Sequence, residues 1–396
     1  MRRLLLSSLV FVPLTAAAQA GPEERLKTLE ERLAKLESAP ALSSLSAFNP
    51  AMGMALDGTF RQTHDKGNFA LRAAELNFEA PVDPYLKAWV ILNANDGGVG
   101  LEEATLETTS LPYSLTVRGG RLFASFGRMG HFHDHELPVI DRPTSLDTFV
   151  GGETQADGVE VSYLLPTGFF ANATLGMYNK LGAENTDRAA NSTPRTLNNF
   201  TYLGRLAATL ELGDDHQVDF GLSSAWTPKR TVIENMATTT SGNVVGEVTK
   251  KNTWRTLTGV DMTYRWQPAS GGLYKGLLWG TEVLQNDDRR FGRNVDDDRL
   301  PKDRVRSYAG YTFVQLKVGA RWRPVLMYDV TQSLDAARSN TNTLTAALTY
   351  DLTEFQRLRA AYSRVDDSRP GNRHNDVVGL QWTAVLGKHV HGFRDR

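Results

Sequence analysis

Residues 125–156 read SFGRMGHFHDHELPVIDRPTSLDTFVGGETQA and interrupt two runs of alternating polar and apolar residues. The stretch is polar, is punctuated by glycine and proline, and contains three of the eight histidines of the chain. On both sides of it the sequence alternates with a period of two, which is the pattern of β-strands. A long connection between two strands is therefore the first structural feature that the sequence predicts.

The composition excludes several classes of protein. The chain has 396 residues and a formal net charge of −1, so bulk positive charge cannot make it a nucleic-acid binder. It contains no cysteine, which excludes disulfides, thiol catalysis and cysteine-ligated zinc. After the N-terminus, no run of about 18 apolar residues predicts a transmembrane helix, although membrane strands escape this test. GxSxG, HExxH and glycine-rich phosphate loops are absent, so we expect neither an enzyme nor a cofactor.

The first 47 residues predict three segments. Residues 1–20 have a basic start, an apolar stretch and an Ala-Gln-Ala sequence, as in a cleaved secretory signal peptide. Residues 21–38 predict a helix, because leucines recur at 26, 29, 33 and 36 in the a/d spacing of a coiled coil. This helix either packs on its own chain or associates with other copies, in which case we expect a trimer. Residues 39–47 form a Ser/Ala linker.

From Phe48 onward the sequence predicts strands and no amphipathic helix. The clearest segments are 157–166, 217–227, 253–266 and 376–388, where apolar residues alternate with polar residues or glycine. Each is about ten residues long, the length of a tilted membrane strand. In all we predict about sixteen strands, near 51–60, 69–80, 86–93, 99–109, 113–124, 157–166, 168–178, 199–211, 217–227, 253–266, 273–286, 304–316, 319–328, 343–350, 355–365 and 376–388.

The connections between these strands alternate in length. Every second one is short, such as 110–112, whereas the intervening ones are mostly long and polar, such as 179–198 and 228–252. Tight turns at one end and long loops at the other are typical of an outer-membrane barrel. The sequence therefore predicts an all-β fold, a transmembrane antiparallel β-barrel over residues 48–393. Residues 125–156 are then predicted to be the third of the long loops at one end of this barrel.

Several stretches carry a resemblance to a known family. They are the leucine-repeat helix, FNPAMGMALDGTF (48–60), AAELNFEAPVDPY (73–85) and DGVEVSYLLPT (157–167). They resemble the phosphate-selective porins O and P of bacterial outer membranes, and still more a set of uncharacterised porin-like proteins, some labelled zinc-regulated or receptor-like. The resemblance implies a sixteen-stranded barrel in the lipid of the Gram-negative outer membrane, a homotrimer, and a third loop folded inward.

The strand pattern and the resemblance predict a porin, a passive diffusion channel for small hydrophilic solutes or ions. Charge at a narrow, water-filled point selects ions, and we expect that point at the third loop. Strand parity turns several arginines towards the lumen, where they either line a path for anions such as phosphate or pair with wall carboxylates. The predicted pore-lining residues are Arg118, Arg128, Asp134, Glu136, Arg255, Arg265, Arg321, Arg323, Arg357 and Arg359.

The histidines of the third loop suggest an alternative. In an extended segment, His131, His133 and His135 project from one face, with Asp134 and Glu136 on the other. Three imidazoles can hold zinc, nickel or copper, which predicts metal-ion uptake through the loop. The plainer interpretation is a loop whose histidines coordinate nothing. The N-terminal helix suggests a further alternative, a structural barrel that tethers the outer membrane.

Overall fold

The computed structural model describes residues 50–64, 66–182, 194–235, 247–291, 302–334, 339–368 and 374–387. The predicted signal peptide, helix and linker, residues 1–47, lie outside these ranges. Within them, no helix has the length and apolar character needed to cross a membrane.

Sixteen antiparallel strands form a closed barrel in which sequence neighbours pair and the first strand pairs with the last. This confirms the barrel predicted from the alternating pattern. The strands are β1 (Ala51–Thr63), β2 (Lys66–Asp83), β3 (Leu86–Asn95), β4 (Gly98–Thr108), β5 (Leu115–Phe123), β6 (Gln155–Leu164), β7 (Phe170–Tyr178), β8 (Thr201–Glu211), β9 (His216–Asn235), β10 (Glu247–Trp266), β11 (Lys275–Phe291), β12 (Lys302–Val318), β13 (Trp322–Gln332), β14 (Asn340–Thr353), β15 (Gln356–Asp367) and β16 (Asn375–Gly387).

Alternation along each strand separates the two faces of the barrel. In β16, Trp382 is 59% exposed on the outer face, whereas the next residue, Thr383, is fully buried on the inner face. Two residues earlier the same pattern occurs, with Leu380 exposed on the outer face and Gln381 buried on the inner face. Successive side chains of a strand point to opposite faces, so the sequence period alone produces an apolar exterior and a polar interior.

Strands β9 to β12 are longer than the sequence predicted. β9 continues to Asn235 and β10 begins at Glu247, so much of the predicted loop 228–252 is a paired ladder. β11 and β12 likewise pair as far as Phe291 and Lys302. An antiparallel ladder can continue beyond the apolar band because its hydrogen bonds do not depend on lipid. The prediction placed the ends of these strands where the apolar alternation stops, which was too early.

The segment between β5 and β6, residues 124–154, folds back into the barrel, and we call it the inward loop. Its two ends are joined where Ala124 N donates to Thr154 O at 2.9 Å and Thr154 N donates to Gly130 O at 2.6 Å. It contains one short helix, α1 (Thr144–Phe149). Most of its apolar side chains are fully buried, so the inward loop is a packed layer inside the barrel rather than a solvated strand connection.

Candidate pore constriction

The inward loop meets the wall of β8–β12 through apolar packing, and we call this wall the apolar side of the lumen. Phe126, Met129 and Phe149 are fully buried there, in one cluster with wall residues such as Leu257 and Leu284. Arg128 lies within the same region, with its guanidinium 5.0 Å from the centre of the Phe313 ring. Burial of this kind stabilises the loop position without depending on charge.

Backbone groups of the inward loop are also hydrogen-bonded to the apolar side. Gly127 N donates to Ser223 Oγ and Arg128 N donates to Glu282 Oε2, both at 3.2 Å. Arg255 donates through Nη2 to the carbonyl of Phe149, at the end of α1. These bonds satisfy loop groups that would otherwise be buried without partners, which is costly.

On the opposite wall, formed by β13–β16 and β1–β4, the inward loop makes polar contacts, and we call this wall the polar side. Arg359 Nη1 donates to Val139 O at 2.9 Å, and Arg72 donates to Ile140 O. Ser145 N donates to Asp329 Oδ2 at 3.1 Å, close to the start of α1. Charged groups therefore hold the loop here in addition to apolar contacts, since Val325 and Met327 of β13 belong to the same buried cluster as the loop.

The histidine stretch is not extended throughout, so the condition on which the three rings were expected to share one face is not met. Residues 134–136 form a single 3₁₀ turn, which breaks the two-residue period. His133 and His135 are buried with their rings stacked 5.6 Å apart, whereas the His131 ring packs edge-on against Phe132 at 4.7 Å. Glu136 is also buried, and its Oε2 accepts from His133 N at 3.1 Å.

His133 and His135 face carboxylates of the barrel wall. His133 Nδ1 lies 3.3 Å from Glu102 Oε1 and 3.6 Å from Glu75 Oε2, and its Nε2 lies 3.4 Å from Glu103 Oε1. His135 Nδ1 lies 3.2 Å from Glu75 Oε1. Within the described ranges, the residues with metal-ligand spacing are Glu75, Glu102 and His133. This set shares only His133 with the three predicted histidine ligands.

A cavity of about 610 Å³ lies between the inward loop and the polar side. Asp134 lines it from the loop and forms an ion pair with Arg142 at 2.9 Å. Arg61 pairs with Asp141 across it at 3.2 Å. Six carboxylates and three guanidiniums face this space: Glu102, Asp134, Asp141, Asp147, Glu153, Asp329, Arg61, Arg72 and Arg142.

Two carboxyls of the cavity have pKa values near neutrality. Asp147 is exposed, but only to the confined space of the cavity, and this partial burial raises the pKa of its carboxyl to about 7. Burial likewise raises the pKa of Glu153 to about 8, although Arg142 opposes the shift. A carboxyl with a raised pKa is neutral below that value and negative above it. The charge of the cavity therefore becomes more negative as the pH rises through neutrality.

The predicted pore-lining arginines of the wall face inward, but most of them are bound to other groups. Arg118 Nη2 lies 2.6 Å from Glu160 Oε2. Arg323 and Arg357 both pair with Asp351, the latter at 2.7 Å. These arginines do not present a continuous row of positive charge to the lumen, because their guanidiniums are paired with carboxylates of the barrel wall.

Four further predicted residues have different positions. Arg255 and Arg359 are buried against the inward loop, and Arg255 Nε donates to Asn286 Oδ1 at 2.6 Å. Arg265 lines a separate cavity of about 740 Å³ at the short-turn end of the barrel. Arg321 lies in the turn before β13, where it is exposed and donates to the Tyr350 hydroxyl at 3.2 Å. The strand parity applied to Arg321 was wrong, because β13 begins one residue later.

Sequence reasoning missed the carboxylates that face the histidines, Glu75, Glu102 and Glu103, and the packing of the loop. Glu102 and Glu103 are adjacent, so strict alternation would turn only one of them inward. The apolar residues of the loop, Phe126, Phe132, Leu146 and Phe149 among them, were a usable signal, because a solvated loop does not need them. Asp147 and Glu153 carried no signal beyond their place in the loop.

Comparisons with known proteins support the fold. No family model matches the chain. An uncharacterised protein of Aquifex aeolicus is 27% identical over 278 residues, 68% of this chain and 56% of that protein, so the match spans little more than half of the relative's length. Among solved structures, Pseudomonas putida OprB has a TM-score of 0.59 at 10% identity, over 87% of this chain and 96% of that one.

Two further structures have similar scores. The outer membrane channel DcaP of Acinetobacter baumannii has a TM-score of 0.55 at 12% identity, over 85% of this chain and 97% of that chain. The trimer form of OmpT, an outer membrane protein of Vibrio cholerae, has a TM-score of 0.55 at 12% identity, over 85% and 99%. At these identities the likeness establishes the barrel fold.

Proposed function

We propose that the chain is an outer-membrane porin, a passive diffusion channel for small hydrophilic solutes and ions. The observation that carries the proposal is a closed barrel with an apolar outer face and a charged cavity between the inward loop and the polar side. An apolar exterior suits lipid, and a narrow space lined by charge suits selective passage of ions and polar solutes. The likeness to a structure described as an outer membrane channel supports the same function.

For charge selectivity, we propose a weak preference for cations. Six carboxylates against three guanidiniums line the cavity, and the predicted wall arginines are largely bound to Asp351, Glu160 or the loop. The competing candidate is a path for anions such as phosphate, which Arg61 and Arg72 at the cavity favour. Both candidates depend on fixed charge at a confined, water-filled point.

Planar-bilayer recording of the purified protein tests the function. We expect open-channel currents, and a reversal potential in an asymmetric KCl gradient that indicates a modest preference for K⁺. Failure to form any channel would exclude the porin function. A strong preference for Cl⁻ together with block by added phosphate would instead favour the arginine path. Added Zn²⁺ tests the remaining alternative, metal-ion uptake, which requires measurable Zn²⁺ current.

The N-terminal region supports further proposals about assembly and location. We propose export by the signal peptide of residues 1–20 and a homotrimer to which the helix of residues 21–38 contributes. The trimer form of a similar structure supports the second proposal. If the helix instead tethers the membrane, deletion of residues 21–40 weakens the envelope and leaves the conductance unchanged. We propose no enzymatic reaction for the chain.

A further inference from the structure

We propose that Glu75, Glu102 and His133 bind one divalent transition-metal ion of the Zn²⁺ class, and that this ion fastens the inward loop to the wall. The site is independent of which solute crosses the barrel. It joins two strands of the polar side, β2 and β4, to the 3₁₀ turn of the inward loop.

A β-bulge brings the carboxylates together. In the pairing of β3 with β4, Ile91 lies opposite Glu103 and Leu92 lies opposite Leu101, so Glu102 is the extra residue of the bulge. Both Glu102 and Glu103 are buried as a result, although adjacent residues of a regular strand would point to opposite faces. Bulges commonly redirect side chains beside functional sites. The register thus turns a second carboxylate into the lumen, facing His133.

The distances between the candidate ligand atoms fit ligands of a common ion. Ligands about 2.0–2.2 Å from a tetrahedral Zn²⁺ lie about 3.3–3.6 Å from one another. His133 Nδ1 lies 3.3 Å from Glu102 Oε1 and 3.6 Å from Glu75 Oε2. One imidazole nitrogen and two carboxylate oxygens form a donor set for a borderline divalent ion.

Neighbouring groups would orient these ligands. Glu103 Oε1 lies 3.4 Å from His133 Nε2, and Trp89 Nε1 donates to the other oxygen of Glu103 at 2.8 Å. This carboxylate would hold His133 in the tautomer whose Nδ1 faces Glu75 and Glu102, as carboxylates commonly do for metal-binding histidines. His135 Nδ1, 3.2 Å from Glu75 Oε1, positions the second ligand in the same way.

Charge and access also favour a cation at this position. Three carboxylates, those of Glu75, Glu102 and Glu103, are buried beside two imidazoles. Carboxylates therefore outnumber imidazoles even when both imidazoles are protonated, and burial of excess negative charge is costly. Glu102 is only 8% exposed, and its Oε2 has no hydrogen-bond donor among the described residues. Glu102 also lines the 610 Å³ cavity, which provides a route of entry. Three protein ligands leave a fourth position open to that cavity.

Metal titration of the full, untagged protein in detergent tests the site. The protein is stripped with a chelator and titrated with Zn²⁺ alone at neutral pH, and retained metal is measured after desalting. The ligand variants are His133→Gln and Glu102→Gln. The matched control is His131→Gln, which removes a histidine of the same loop whose ring packs on Phe132. Heat-modified gel migration verifies that each variant forms the barrel.

We expect the wild type and His131→Gln to retain one more equivalent of Zn²⁺ than either ligand variant. Glu103→Gln should weaken the affinity by about 10–100-fold, as loss of an orienting carboxylate commonly does. Equal retention by the wild type and His133→Gln, or equal loss in His131→Gln, would overturn the site. Because these are differences between variants, zinc bound elsewhere on the chain does not affect them.

X-ray absorption of the zinc-loaded wild type tests the site without any variant. One imidazole and two carboxylate oxygens in the first shell support the assignment. A first shell of two or more imidazoles, or of water oxygens alone, contradicts it. If the loop is instead held to the wall by protonated histidines, the chelator-stripped protein binds no Zn²⁺ and the assignment fails.

Discussion

The two sides of the lumen hold the inward loop by different proportions of apolar and polar contacts. On the apolar side, Phe126 and Phe149 are fully buried among wall residues. On the polar side, Arg359 and Asp329 hold the loop through hydrogen bonds, and a charged cavity separates much of it from the wall. Apolar packing is insensitive to pH and salt, whereas polar contacts beside water respond to both. The first side holds the loop mainly by packing, and we propose that solutes pass beside the second.

The largest effect is expected when a buried aromatic ring is removed from the apolar side. Phe149→Ala removes a fully buried ring at the end of α1, and should reduce the free energy of unfolding by about 3–5 kcal/mol. Chemical unfolding in detergent, followed by tryptophan fluorescence, measures this loss. The control is Phe169→Ala, at a half-exposed ring in a short turn, which should cost about 0.5 kcal/mol or less. Equal losses in the two variants would argue against a packed loop.

The next largest loss of stability is expected where the backbone of the inward loop lies close to the barrel wall, at Gly127. Gly127 has φ +65°, and a Cβ added there would overlap the Glu282 carboxylate. Gly127→Ala should therefore cost about 1–3 kcal/mol from over-packing and about 1–2 kcal/mol from backbone strain. Gly168→Ala is the matched control, because its added Cβ meets no atom within 4 Å. The unfolding midpoints of the two variants should differ clearly, and similar midpoints would count against the close approach.

On the polar side, loss of one anchor should loosen the loop while the barrel remains folded. Arg359→Gln removes the donor to Val139 O and should cost about 1.5–3 kcal/mol. We also expect larger or noisier single-channel currents, because the loop residues that follow Val139, from Asp141 to Thr144, line the cavity. Arg321→Gln, in an exposed turn, should change stability by about 0.5 kcal/mol or less and leave the currents unchanged. Unaltered currents in Arg359→Gln would show that the hydrogen bond to Val139 does not hold the loop in place beside the cavity.

Much of this architecture follows from alternation along the strands. The period of two correctly predicted that Arg323, Arg357 and Arg359 face inward. The alternating connection lengths correctly predicted a sixteen-stranded barrel. Alternation fails where the register shifts, so the inward turn of both Glu102 and Glu103 could not be derived from it. The 3₁₀ turn at Asp134–Glu136, which follows His133 and interrupts the alternation of the histidine stretch, is capped locally by Glu136, a signal that reading the stretch as extended missed.

The smallest expected effect is a pH dependence of selectivity. Asp147 and Glu153, with pKa values of about 7 and about 8, gain negative charge as the pH rises. The K⁺/Cl⁻ permeability ratio should therefore increase severalfold between about pH 6 and pH 9, where ordinary carboxylates are already ionised. Reversal potentials in a KCl gradient measure the change. The double variant Asp147→Asn with Glu153→Gln should flatten the profile, and an undiminished slope would assign the titration to other groups.

The most direct test of a passage beside the inward loop uses the absence of cysteine from the chain. Asp147→Cys places one thiol at the cavity, and Gly168→Cys places one in a short turn away from it. A bulky, charged thiol reagent should reduce the bilayer conductance of Asp147→Cys and leave that of Gly168→Cys unchanged. Complete labelling of Asp147→Cys with no change in conductance would contradict passage through this cavity.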